Sequence, residues 1–156
     1  MIRIKREGLE LIPPPAQAGN VFNKATEIHV WTDGSSIDTC GGYACLFDNG
    51  EVISGSGCMT NQAAELTAIE LAIRLAPDNC YLVIHSDSAF AIGCISRHFN
   101  LSKSPHLQVI QKQIQSDLIS RHIKGRFVKV KGHSGDHYNN VVDREARRQA
   151  EQLRYG

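Results

Sequence analysis

Glu27-Ile28-His29-Val30-Trp31-Thr32-Asp33-Gly34-Ser35 is the stretch whose reading decides the fold. Residues 27–32 are apolar and β-branched enough to form a strand. An aspartate at the end of a buried strand, followed at once by Gly34 and Ser35, puts a carboxylate where burial is costly unless something binds it. Asp33 is therefore the first candidate for a working residue, and its partners should come from elements that end beside it.

Upstream, MIRIKREGLELI can form a short strand or turn, whereas Pro13-Pro14-Pro15 and the following AQAGN have the stiff and then flexible composition of a linker. Residues 1–26 are expected to be an N-terminal extension or linker and 27–156 the domain proper. Downstream, a loop from Ser35 to Gly41 is expected to lead into a second strand, Gly42 to Phe47. Asp48-Asn49-Gly50 is a tight-turn signal, and Glu51 to Ser54 returns as a third strand, with Gly55, Ser56 and Gly57 ending the ladder. Thr60 and Asn61 can cap a helix reaching Ala76, with Leu66, Ile69, Ile73 and Ala76 on one face and Pro77-Asp78-Asn79 stopping it. Tyr81 to His85 is a compact apolar run, a buried strand finishing at Ser86-Asp87-Ser88. Helices over Ala89 to Arg97 and Pro105 to His122 and a half-exposed strand from Arg126 to Val130 follow. A closing helix carries Val142, Ala146, Ala150 and Leu153 on one face.

A hairpin-connected meander followed by helix-linked strands predicts an α/β domain. Its mixed five-stranded sheet combines a three-strand antiparallel meander with two parallel strands, flanked by helices. Ligands bind outside the carboxyl ends of parallel strands, and Asp33 and Asp87 both stand at such ends. Glu65 is a lone acid among Ala63, Ala64, Leu66 and Ala68, and Asp143 follows the apolar Val141 and Val142 near the start of the closing helix. Either acid alone is explained as well by favourable interaction with a helix N-terminus. Four carboxylates converging without Lys or Arg in their motifs would repel unless a divalent cation sat among them. Hard carboxylate oxygens suit magnesium or manganese, and two such ions about 4 Å apart form a clamp for in-line phosphoryl transfer.

Thr32-Asp33-Gly34-Ser35, Thr60-Asn61-Gln62 with Glu65-Leu66, Ser86-Asp87-Ser88, and Val130-Lys131-Gly132-His133-Ser134-Gly135 with Asn139 and Asp143 occur in that order. In order and spacing they resemble the ribonuclease H type 1 family, over most of the chain from Glu27 to Leu153. Any one of these motifs is common by chance, but the ordered set is specific. The resemblance implies an RNase H-like fold and a metal-dependent endoribonuclease that cuts the RNA strand of an RNA/DNA hybrid, leaving 5′-phosphate and 3′-hydroxyl ends. Asp33, Glu65, Asp87 and Asp143 match the family's metal-binding carboxylates, with Asp33 in the position that bridges two Mg2+ ions, for which Mn2+ can substitute.

His133 matches the family's mobile histidine, assisting proton transfer and product departure; a histidine in a glycine-bounded turn, titrating near about pH 6.5, suits that role. Asn61 and Gln62 match minor-groove contacts, where ribose 2′-hydroxyls distinguish RNA from DNA. Gly34, Ser35, Ser88 and Asn139 are expected as further substrate contacts. The chain departs from the family pattern in the loop after Asp33, where Ser35-Ser36-Ile37-Asp38-Thr39-Cys40 lacks the usual Asn-Pro-Gly turn. The segment between Asp87 and His133 also lacks a tryptophan-rich basic protrusion.

Composition agrees with this class. The 156 residues suffice for one domain with a core of its own, and 42% hydrophobic with 21% charged residues is ordinary for a globular protein. No apolar run approaches the roughly 20 residues of a membrane helix, and the N-terminus lacks a signal peptide's apolar core, so a cytoplasmic monomer without membrane contact is expected. Cys40, Cys45, Cys58, Cys80 and Cys94 are odd in number and form no CxxC pair, which predicts plain thiols, mostly buried. Net charge is only +1, yet from Ser88 to Lys131 eight basic residues face a single acid, Asp117, and Arg144, Arg147 and Arg148 follow. That asymmetry favours an acidic partner such as a nucleic-acid backbone.

Two rival readings have distinct signatures. A DNA-directed nuclease or recombination enzyme of the same superfamily would prefer a DNA duplex to a hybrid. A non-catalytic nucleic-acid-binding module on this scaffold would bind hybrid without cutting it, and would have no reason to keep four carboxylates together.

Overall fold

The computed structural model describes residues 10–12, 27–131 and 136–156. Strand β1 is Glu10–Ile12, β2 is Glu27–Ile37, β3 is Cys40–Phe47 and β4 is Val52–Cys58. Helix α1 spans Asn61–Leu75, strand β5 Tyr81–Ser86, helices α2 and α3 Ala89–Ser96 and Pro105–Ser120, strand β6 Lys124–Lys129 and helix α4 His137–Tyr155. β2, β3 and β4 form the expected antiparallel meander, and β5 and β6 add the two parallel strands. The sheet order is β1-β6-β5-β2-β3-β4. The five strands of the domain are thus joined by a sixth: residues 10–12 of the N-terminal segment pair antiparallel with β6 at its edge.

Side-chain alternation along the sheet divides the core between two faces. Val30, Cys45, Leu82, Ile84 and Phe127 pack with α1 residues Leu66, Ile69 and Ile73 in the larger cluster. Trp31, Ala44 and Leu46 pack with Val142 and Ala146 of α4 in the smaller one. Leu66, Ile69 and Ile73 are each wholly buried, a gain of about 1.5–3 kcal/mol per side chain before entropy is counted. α1 starts where expected because the Thr60 hydroxyl accepts from the Ala63 amide, satisfying one of the orphan donors of the first turn. At its far end Arg121 donates to the Ile73 carbonyl at 2.7 Å, to that of Ala76, and to Asp78. This arginine of the basic run is therefore a structural staple between α1 and α3 rather than a phosphate ligand.

Two boundaries differ from the sequence expectation. No loop runs from Ser35 to Gly41; β2 and β3 stay paired up to Ile37↔Cys40 and turn on Asp38-Thr39 alone. β4 likewise continues through Gly55, Ser56 and Gly57 to Cys58, because β3 remains opposite it as far as Cys40. Tertiary pairing overrides the poor strand propensity of Gly and Ser at these positions. The two-residue turn needs left-handed backbone at both positions, and Asp38 and Thr39 have φ of 49° and 64°. For β-branched Thr39 that is costly, so Thr39→Gly is expected to stabilise the protein by about 0.5–1 kcal/mol. A lowered melting temperature would contradict the turn geometry.

Candidate active site

The parallel pairing of β2 with β5 ends at the rung Thr32↔Ser86. The residues that follow on these neighbouring strands are Asp33 and Asp87, so a one-residue overrun on each strand sets the two carboxylates side by side. Glu65 joins them from the other direction, because α1 descends directly onto β2. A Cβ built on Gly34 would lie 2.3 Å from the carbonyl carbon of Ala64 and 2.4 Å from the Glu65 nitrogen. Only glycine permits that approach. One carboxylate oxygen from each of Asp33, Glu65 and Asp87 lies within 4.8 Å of the others.

The fourth acid comes from α4, which also packs over a glycine. A Cβ on Gly42 would lie 2.0 Å from the Ala146 carbonyl oxygen. Gly42→Ala would have to lift α4 off β3 and is expected to cost roughly 1–3 kcal/mol or more, readable as a lower denaturant midpoint; an unchanged midpoint would refute the contact. The helix is also tied to β4 by Glu145, which accepts from Ser54 at 2.6 Å and from Arg148 at 2.7 Å. Arg148 and the other donors pull the Glu145 carboxyl down to about 2. Asp143, nearly two turns into α4, lies near enough for its charge to act on both Asp33 and Asp87. It falls outside the tight trio and pairs outward with Arg147 at 3.1 Å. Arg147, outside the acid's own motif, sits one helical turn beyond Asp143, where i,i+4 partners meet.

Burial and mutual repulsion leave these carboxylates poorly stabilised as anions. Burial first, then the charge of Asp87, pushes Asp33 up to about 8. Burial and the charges of Asp33 and Asp87 push Glu65 up to about 10. Asp87 is also raised, by burial and Asp143. Asp33 and Glu65 are 2% and 9% exposed, and Glu65 Oε1 has no hydrogen-bond partner among the described residues. A buried orphan oxygen within an all-carboxylate cluster suits a hard divalent cation, which would supply the missing partner and cancel the repulsion. The residues present fit such an ion.

The other expected positions are placed as follows. Asn61 and Gln62 are exposed on the first turn of α1, and because Thr60 does the capping, Asn61 is not needed for it. Ser35 is half-buried on β2 beyond Asp33. Ser88 caps α2, its hydroxyl accepting from the Ala91 amide at 3.0 Å. Asn139 is 2% exposed and its Oδ1 has no partner among the described residues. His133, with Gly132, Ser134 and Gly135, lies outside the described residues. His85 is packed in the sheet, stacked on Trp31 at 4.2 Å, and His29 pairs with it at 2.8 Å. Beside Asp87 and Ser88 opens a cleft of about 480 Å³ lined by Phe90, Phe99, Arg97 and Lys129.

This combination defines an α/β domain with a mixed sheet whose acidic site lies beyond the ends of parallel strands. The sequence model of the RNase H family matches residues 25–151. The chain is 29% identical over 139 residues to a protein named Ribonuclease H from Clostridium botulinum, covering 77% of this chain and 93% of that protein. It is 31% identical over 136 residues to Ribonuclease H of Chlorobium chlorochromatii, covering 78% and 93%. It is 30% identical over 149 residues to Ribonuclease H of Xanthomonas oryzae pv. oryzae, covering 85% and 97%. The chain belongs to the RNase H family. It is accordingly a hydrolytic nuclease, and no helix among the described residues is long and apolar enough to cross a membrane.

Proposed function

We propose that this chain is an endoribonuclease that hydrolyses the RNA strand of RNA/DNA hybrids, leaving 5′-phosphate and 3′-hydroxyl ends. The observation that carries the proposal is the trio of buried Asp33, buried Glu65 and half-buried Asp87, with a Glu65 oxygen that has no partner among the described residues. These three and Asp143 would hold two divalent ions, magnesium or manganese. When bound, such ions supply Lewis acidity, easing deprotonation of the attacking water and stabilising the leaving oxygen.

The protein's own groups then orient the substrate and handle protons. Asn61 and Gln62, exposed one turn before Glu65, can read ribose 2′-hydroxyls across the minor groove. Gly34, covered by α1, has only backbone atoms to offer, and Ser35, Ser88 and Asn139 are the further contacts from its neighbourhood. Arg97 and Lys129, at the rim of the cleft beside Asp87, suit phosphates of the hybrid backbone, with Phe90 and Phe99 giving that cleft an apolar wall. His133 accepts or delivers a proton as product leaves, a role that suits a histidine side chain. His133→Ala is expected to slow turnover by about 10–100-fold without abolishing it, measured as multiple-turnover kcat; complete loss would assign it a different role.

End-group analysis tests the reading. Cleavage of a hybrid labelled in its RNA strand should give RNA fragments carrying 5′-phosphate and 3′-hydroxyl. Products with 2′,3′-cyclic phosphate, or cleavage of the DNA strand, would overturn it.

A further inference from the structure

Cys40 and Cys58 are far apart in sequence but directly opposite each other, as the last rung of the β3–β4 ladder. The amide of Met59 donates to the Thr39 carbonyl at 2.8 Å. That bond flanks the Cys40–Cys58 pair, so the two cysteines occupy a non-hydrogen-bonded rung, the closer of the two kinds, with Cα atoms about 4.5 Å apart. Opposed residues project from the same face of the sheet. A disulfide spans Cα separations of roughly 4.4–6.8 Å, which this rung meets without moving either strand.

The remaining cysteines contrast with this pair. Cys45, Cys80 and Cys94 are buried, and burial pushes their thiols up to about 12, 11 and 11. Little thiolate exists in them, and oxidants cannot readily reach them. Cys58 is exposed and Cys40 half-buried, so the accessible thiols are the two that face each other. The pair also stands at a consequential place. Cys58 is followed by Met59, Thr60 and then α1, whose first residues are Asn61 and Gln62. Ser36 of β2 donates to the Met59 carbonyl at 3.0 Å, tying the same junction to the hairpin.

We propose that Cys40 and Cys58 are a reversible thiol pair that a small-molecule disulfide closes into a cross-strand bridge, clamping the strand that delivers α1 to the site. The thiolate of exposed Cys58 attacks one sulfur of glutathione disulfide, forming a mixed disulfide and releasing one glutathione thiolate. The Cys40 thiolate then attacks the Cys58 sulfur and releases the second. Two protein thiols are oxidised, one glutathione disulfide is reduced, and the two protons end on the two glutathiones. The bridge leaves the carboxylates untouched, so it is a constraint added to the fold and independent of the nuclease reading.

The test is oxidation of the folded chain with glutathione disulfide, followed by intact mass, peptide mapping and thermal melting. The protein should lose two hydrogens in mass, and its Cys40 and Cys58 peptides should be linked. Its melting temperature should rise by roughly 5–10 °C, reversibly with dithiothreitol. Cys58→Ser should abolish both changes, and Cys40→Ala should trap glutathione on Cys58. Persistent glutathione on Cys58 of the unsubstituted chain without linkage, linkage through Cys45, Cys80 or Cys94, or no reaction would each overturn the proposal. The readouts on the unsubstituted protein decide the matter even if a variant folds poorly.

Discussion

Replacing Asp33 with Asn should reduce hybrid cleavage by roughly 10³-fold or more while leaving the metal-free protein more stable than the parent. Asp33 is the carboxylate shared by the whole cluster: Glu65, Asp87 and Asp143 all lie against it. An amide keeps its shape but loses the anionic charge that would attract a cation. The stability gain follows from the same crowding. In the metal-free folded state Asp33 is raised from 3.8 to about 8, whereas the unfolded chain ionises it near the ordinary value. A carboxyl group that holds its proton more tightly when folded contributes stability below the unfolded pKa, and this is lost as pH rises through the folded value. Stability of the metal-free protein should therefore decline between about pH 4 and pH 8, and Asp33→Asn should flatten that decline. Retained activity in the variant would remove Asp33 from the site, and an unchanged pH profile would remove the repulsion.

Chelation of divalent metal should have the second large effect, complete loss of cleavage restored by magnesium or manganese. It has a readout independent of activity. An ion that binds only the folded state stabilises it by mass action, about 2.7 kcal/mol at a hundredfold excess over its Kd. Magnesium should raise the melting temperature of the parent at neutral pH, and raise that of Asp33→Asn or Glu65→Gln far less. Equal shifts in all three would place the cation elsewhere. Cleavage persisting in chelator would exclude the proposed chemistry outright.

Much of this site was legible in the sequence because its signals are local. Asp33 and Asp87 each follow an apolar run that can only be a buried strand, and Thr60 announces the helix that carries Glu65. What the sequence concealed depends on contacts between distant segments. Ser35 and Ser36 look like the start of a loop because neither favours a strand, yet β3 pairs with both. Gly34 is required there for a reason local propensity cannot express, the descent of α1 onto β2. The basic run looked like a phosphate-binding track, but Arg121 staples two helices and Arg126 pairs with Glu27 at 3.2 Å. Arg147 and Glu145 carried only an i,i+3 or i,i+4 spacing as a clue, too common to assign without α4 in place. The facing of Cys40 and Cys58 follows from β4 outrunning its glycines, which no pattern of alternation revealed.

The most direct measurement of the central claim is cleavage of matched RNA/DNA, RNA/RNA and DNA/DNA duplexes of one sequence, with magnesium and manganese each in turn. The carboxylate cluster beside Asn61 and Gln62 predicts cutting of the RNA strand in the hybrid alone, dependent on added metal and absent in Asp33→Asn. Preferential cutting of the DNA duplex, or a hybrid that is bound and left intact with either metal, would contradict it.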